Sequence, residues 1–151
     1  MTLQITAIFD AVASHALSSG YFDRVNQHEP KVAPGVGVTC AVWADRIEPV
    51  KTSGLNSTSV RLAFIVRTYQ TMLSEPRDAI DPNMILAVDA LMAAYSGDFT
   101  LGDLVRKVDL LGAYGTALSA QAGYMEQDKK LYRVMSITLP LIVNDVWGQV
   151  S

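Results

Sequence analysis

Cys40, His15 and His28 are the only thiol and imidazole side chains in this sequence, and their spacing bounds the chemistry it can perform. His15 belongs to a helical pattern, and His28 follows in a loop without the HExxH spacing of a helical zinc site. Ser14 and His15 are adjacent on that helix, so they point in different directions and make no nucleophile–base pair by themselves. His28-Glu29-Pro30 reads as a turn with a solvated histidine. Cys40 sits mid-strand between Val38 and Val42, where a buried, inert thiol is expected. Gly35-Val36-Gly37 leads into a strand rather than a helix, which removes a phosphate cradle. Asp78 and Asp81 flank a helix start and are explained by capping. Arg106-Lys107 and Lys129-Lys130 are isolated doublets of solvated charge. The expectation is no catalytic constellation, no metal site and no cofactor.

The elements that would position these residues can be read from periodicity. Leu3, Ile5, Ile8, Phe9, Val12 and Ala16 recur at helical steps, and Gly20 is placed to stop that helix. Residues 21–37 read as a long loop, punctuated by Pro30, Pro34, Gly35 and Gly37. Residues 38–50 and 58–72 alternate as two strands around a turn at 51–56, where Gly54 supplies backbone freedom. A strand of about 13 residues spans roughly 43 Å at ~3.3 Å per residue. A domain of this length is about 40 Å across. Either the hairpin tip overhangs as an arm, or the strands bend or are shorter than the alternation suggests.

A second helix is expected from Asp81 as cap and Pro82 in the first turn, with Ile85, Val88, Leu91, Met92 and Tyr95 buried and Gly97 as its stop. Residues 104–111, 117–125 and 131–143 read as three further strands. Apolar residues on both faces make the last one central, with Pro140 near its end or at a bulge. Trp147 follows in a tail that docks on the body or on a neighbour. The order is α-β-β-α-β-β-β, an α+β fold with two main helices packed on a mostly antiparallel sheet.

Composition sets the outer limits. The chain has 151 residues, which suits one domain. Half of them are hydrophobic, which excludes a disordered chain. Only 18% are charged, below the ~25% of an average soluble domain. That deficit means either a surface covered by another protein or a neutral surface rich in Ser, Thr, Gln and Asn. Net charge is −3, and all of it falls in residues 79–151. Neither half has the Lys/Arg surplus of a sequence-specific DNA binder. A single cysteine precludes an internal disulfide and gives no sign of an oxidising compartment. No basic, apolar leader opens the sequence and no apolar run matches a membrane span, so synthesis in the cytoplasm is expected, with no membrane partner.

Four segments carry a likeness to a known family. HEPKVAPGVGVTCAVWADRIEPV, SGLNSTSVRLAFIVRTYQTML, EPRDAIDPNMILAVDALMAAYSGDF and KLYRVMSITLPLIVNDVW together resemble tail terminator proteins of long-tailed, siphovirus-like bacteriophages, particularly those infecting actinobacteria. The likeness runs along nearly the whole chain as an overall pattern, without a catalytic signature. It implies a virion structural protein of the tail neck, made in the host bacterial cytoplasm. Such a protein forms a homo-oligomeric ring, commonly a hexamer, that caps the tail tube protein and stops tube polymerisation. The ring meets a head-side connector or stopper protein, and DNA passes through it without sequence-specific binding. The residues then expected at subunit or tube contacts are Val32, Pro34, Gly35 and Val36 in the long loop, and Lys51, Thr52, Ser53, Gly54, Leu55 and Asn56 at the hairpin tip. Another neck protein, or a small-molecule-binding or enzymatic α+β domain, are the alternatives.

Overall fold

The computed structural model describes residues 3–28, 38–50, 57–72 and 80–148. Helix α1 (Ile5–Ser19) ends where Gly20 turns left-handed at φ 77°, a conformation glycine adopts without a Cβ clash. Strand β1 (Arg24–Asn26) follows, then β2 (Val38–Pro49) and β3 (Ser57–Thr71). Helix α2 (Ile80–Gly97) leads to β4 (Lys107–Val108), β5 (Ser119–Gln127) and β6 (Lys130–Gly148). The strands lie in the order β1-β2-β3-β6-β4, with β5 beside β4 on the same edge of β6. Every pairing is antiparallel except the short parallel β1–β2. The fold is α+β, as the sequence pattern implies.

Alternation separates two faces. Cys40 and Val42 of β2, Leu62, Phe64 and Val66 of β3, and Ile137, Leu139 and Leu141 of β6 share one face. Ile8, Val12 and Ala16 of α1 and Val88, Leu91 and Tyr95 of α2 close over them. Each large side chain buried there contributes about 1.5–3 kcal/mol of transfer free energy. The opposite face holds a smaller cluster of Ala41, Tyr69, Tyr132 and Val134, on which Trp43 and Met125 pack.

Two irregularities shape the sheet. The β2–β3 register shifts between Ala44 and Arg46, so Asp45 is the extra residue of a bulge. That shift keeps Ile47 opposite Leu62 on the helix-covered side; unbroken alternation would have put it on the face of Trp43. In β6, residues 144–146 loop past Ser59 before pairing resumes at Trp147–Thr58. Ser57 Oγ donates to Asp145 at 2.6 Å, and the Asp145 amide donates to Ser59 Oγ at 3.2 Å. Trp147 is therefore a strand residue rather than part of a trailing tail.

Several expectations need correction. β1 lies inside the segment read as loop; three residues are too short for periodicity to register. The strand expected over 104–111 is reduced to two residues. Leu101, Gly102 and Asp103 all turn left-handed before it, and Leu101 and Val105 enter the core from irregular backbone. Asp81 does not cap α2, which begins at Ile80; it sits in the first turn and accepts from Arg133 Nε at 2.9 Å. Ile85 is 57% exposed, because the buried stripe runs through Ile80, Met84, Ala87, Val88, Leu91 and Tyr95. Pro140 is neither terminal nor at a bulge: it pairs with Ala63 in mid-strand. Its missing N–H falls at the seam where β5 ends (Ser119↔Thr138) and β4 begins (Val108↔Leu141), and its carbonyl accepts from the Asp109 amide at 2.9 Å.

Asp128 and Lys129 join β5 to β6 with φ of 52° and 63°, the two-residue hairpin turn that prefers Asx-Gly. Lys129→Gly should stabilise the protein by about 0.5–1 kcal/mol, the relief of left-handed strain less the entropy that glycine gains when unfolded. Thermal melting should show a midpoint higher by roughly 1–4 °C. Lys129→Val should lower it, because branching at Cβ disfavours positive φ.

Candidate functional site

The residues with chemical potential are dispersed and engaged in packing. Cys40 is fully buried, and desolvation pushes its thiol up to about 12. His15 Nε2 lies 2.9 Å from Asp98 Oδ2 and its ring meets Tyr95 edge-on at 5.5 Å. Tyr95 in turn donates its hydroxyl to the Val12 carbonyl at 3.0 Å. Burial first, and then neighbouring Cys40, raise this phenol well above its usual range. The three groups thus tie α1 to the end of α2. His28 lies on the exposed stretch after β1. Among the described residues no three His, Cys, Asp or Glu side chains cluster as a metal site. No described helix is long and apolar enough to cross a membrane.

The surface is more informative than the interior. On the face away from the helices, a depression of about 440 Å³ lies over β3, β6 and β5, among Ile65, Arg67, Gln121, Met125 and Ser136. Arg67 stacks on the Trp43 ring, 5.2 Å from its centroid, and donates to Ser136 Oγ at 2.7 Å, so its charge is held flat against the sheet. A second hollow of about 470 Å³ is lined by Leu3, Ile5, Ala44, Ile47 and Leu62, with Asp45 and Arg46 at its rim, where α1 begins beside the β2 bulge. This hollow is mostly apolar and opens at a sheet edge, because among the described residues β1 covers β2 only from Thr39 to Ala41.

At the opposite edge a loop leaves the sheet after β4. Asp109, 2% exposed, accepts the amides of Ala113 at 2.8 Å and Tyr114 at 2.9 Å on its two carboxylate oxygens. Its carbonyl accepts from the Leu118 amide at 3.3 Å, closing the loop. Gly112 is required here: it has φ 78°, and a Cβ would stand 2.6 Å from the Gly115 carbonyl oxygen. Beneath the loop lies Arg61, 5% exposed, whose Nη2 donates to the Thr116 carbonyl at 3.0 Å and whose Nη1 lies 3.5 Å from Glu48. Arg61 therefore braces the loop from the middle of the sheet and links it to β2. The side chain this framework presents is Leu111, 94% exposed.

Val32, Pro34, Gly35, Val36, Lys51, Thr52, Ser53, Gly54, Leu55 and Asn56, the contact residues expected from sequence, lie outside the described residues. Sequence reading did not single out Asp109, Arg61 or Leu111. The Gly112/Gly115 spacing after Asp109 signals the turn, but nothing in the letters distinguishes an exposed leucine from a core one.

No protein-family model matches this chain, and no curated protein sequence matches it. Among solved structures, a chain in the virion of a native gene transfer agent particle superposes with a TM-score of 0.42 at 11% identity, covering 91% of this chain and 96% of that one. A chain of the sheath/tube terminator of an extracellular contractile injection system, in the extended state, superposes with a TM-score of 0.46 at 14% identity. That match covers 100% of this chain, which spans 60% of the other. Both are loose superpositions, and no residue role is transferred from either.

Two outcomes follow from the interior contacts. Asp109→Ala should cost about 2 kcal/mol, since two amides lose a charged acceptor. Hydrogen exchange should accelerate at Ala113 and Tyr114 well before the β3–β6 amides. Cys40 should resist alkylation at pH 8 in the native protein and react once denaturant unfolds it. The thiol's contribution to stability should be intact below pH 9, its unfolded value, and decline as pH rises from 9 through about 12. Denaturant titration across that range reads the slope.

Proposed function

We propose that this chain is a structural tail terminator, a single-domain subunit of a phage-type virion without catalytic activity. Copies form a ring, six in the commonest arrangement, that caps the tail tube, halts its polymerisation and offers the joining surface to a head-side connector or stopper. The observation that carries this reading is the resemblance of the four segments between residues 28 and 147 to long-tailed phage tail terminators. The α+β architecture, with both helices on one face of a mostly antiparallel sheet, agrees with the fold that resemblance implies.

Physical features support an assembly role. An apolar hollow at a sheet edge is costly to leave in water and is typical of surfaces that another protein covers. The net charge of −3 suits a passage through which DNA slides, because a basic lining would hold phosphates. Subunit and tube contacts are assigned to Val32, Pro34, Gly35 and Val36 and to residues Lys51, Thr52, Ser53, Gly54, Leu55 and Asn56.

Tails purified from a head-defective mutant should carry the protein at one end, seen by electron microscopy with a C-terminal label. Finding it instead on filled heads before tails join would overturn the terminator reading in favour of a connector. Replacing residues 51–56 with a short turn should leave the fold intact and yield tails of uncontrolled length or failed joining. Normal infectious particles from that variant would remove the tip from the contact surface.

A further inference from the structure

The apolar hollow and the exposed leucine stand at the same level on opposite edges of one sheet. Register lines run Ile47↔Leu62 from β2 to β3, Leu62↔Leu141 from β3 to β6, and Leu141↔Val108 from β6 to β4. The hollow opens around Ile47 at the start of this row. The loop bearing Leu111 begins at Asp109, one residue past its end. A rotation that steps one copy sideways across the strands therefore brings the leucine of one copy to the hollow of the next. Because knob and hollow are different surfaces, the contact is heterologous, the kind that repeats around an axis until a ring closes.

Charge follows the same polarity. Beside the knob, Arg106 and Lys107 are held against Tyr114: Arg106 Nη1 lies 3.4 Å from its hydroxyl and Lys107 Nζ 5.1 Å from its ring centroid. Neither has a carboxylate partner among the described residues. Beside the hollow, the bulge turns out Asp45, which has no cationic partner among the described residues, and next to it Arg46, whose Nη1 lies 3.9 Å from Glu48 Oε2. With Asp103 set against Arg106 and Lys107 at the knob edge, and Arg46 compensated by Glu48 at the hollow edge, the balance is one cation at the knob and one anion, Asp45, at the hollow, so unlike edges attract where like edges repel.

We infer that Leu111 of one copy docks into the hollow formed by Leu3, Ile5, Ala44, Ile47 and Leu62 of a second copy, with Arg106 and Lys107 facing Asp45. This rests on the ring reading proposed above and deepens it by adding a subunit contact to those assigned to the long loop and the hairpin tip. The loop needs no reorganisation to dock, because Asp109 and Arg61 already hold its shape, so little ordering entropy opposes association.

The test uses Leu111→Cys and Ile47→Cys, both at exposed positions, in the otherwise native chain. Buried Cys40 stays silent under mild oxidation. An equimolar mixture of the two variants should cross-link into 111–47 dimers at least tenfold more than either variant alone cross-links to itself. The double variant should give a ladder of multimers. Leu111→Asp should keep the wild-type circular dichroism and melting point while weakening self-association at least tenfold in sedimentation. Equal yields of like-with-like cross-links, or a wild-type protein that remains monomeric to about 1 mM, would overturn the contact. Locating the protein on tails or on heads is independent of these cysteines, so the contact and the terminator reading can fail separately.

Discussion

The antiparallel pairing of β3 with β6 is the constraint on which the rest of the molecule hangs. It runs from Ser57–Gly148 to Thr71–Tyr132, so two long strands bury each other along one whole edge. The paired triplets Leu62/Leu141, Phe64/Leu139 and Val66/Ile137 make the floor that α1 and α2 cover. β2 can then add only to the free edge of β3, and β5 and β4 only to the free edge of β6. The pairing also joins residues far apart in sequence, whose loop-closure entropy must be overcome before the apolar contacts form.

Polar and titratable groups in this chain serve mostly as fasteners. His15 and Asp98 clasp the two helices, Arg133 ties β6 to Asp81 of α2, and Asp109 folds a loop around its carboxylate. Arg61 is the most deeply buried cation of these, and it reaches Glu48 on one side and Thr116 on the other. Such contacts make edges rigid, and rigid edges are what an assembly subunit needs. The hollow and the knob are set by the sheet's own register rather than by mobile side chains.

Much of this was readable from residue pattern. The alternation of β2, β3 and β6, the glycine stop of α1 and the buried Cys40 follow from local rules that tertiary packing did not override. The failures have distinct causes. Ile85 and Leu86 are apolar but point outward, so a helix hydrophobic on several sides hides which stripe is buried. Residues 104–111 looked like a strand because Val105 and Val108 are core residues; burial, rather than strand geometry, explains their apolar character. Leu111 belongs to the same apolar run, so pattern alone gives it the same strand character. Its exposure depends on Asp109 and Arg61, one of which is distant in sequence, and no periodicity reports that.

Pro140 adds an unexpected kind of information to β6. Most of that strand is apolar on both sides, and such strands define their alignment weakly, since a slip by two residues leaves every side chain on its original face. A proline breaks this degeneracy. Displaced by two positions toward β5, its nitrogen would meet a carbonyl that it cannot satisfy, whereas at its present position it faces a gap. The residue therefore works like a notch on a ruler: it singles out one alignment among several that hydrophobic packing alone would tolerate, and so sets the height at which both flanking strands come to rest.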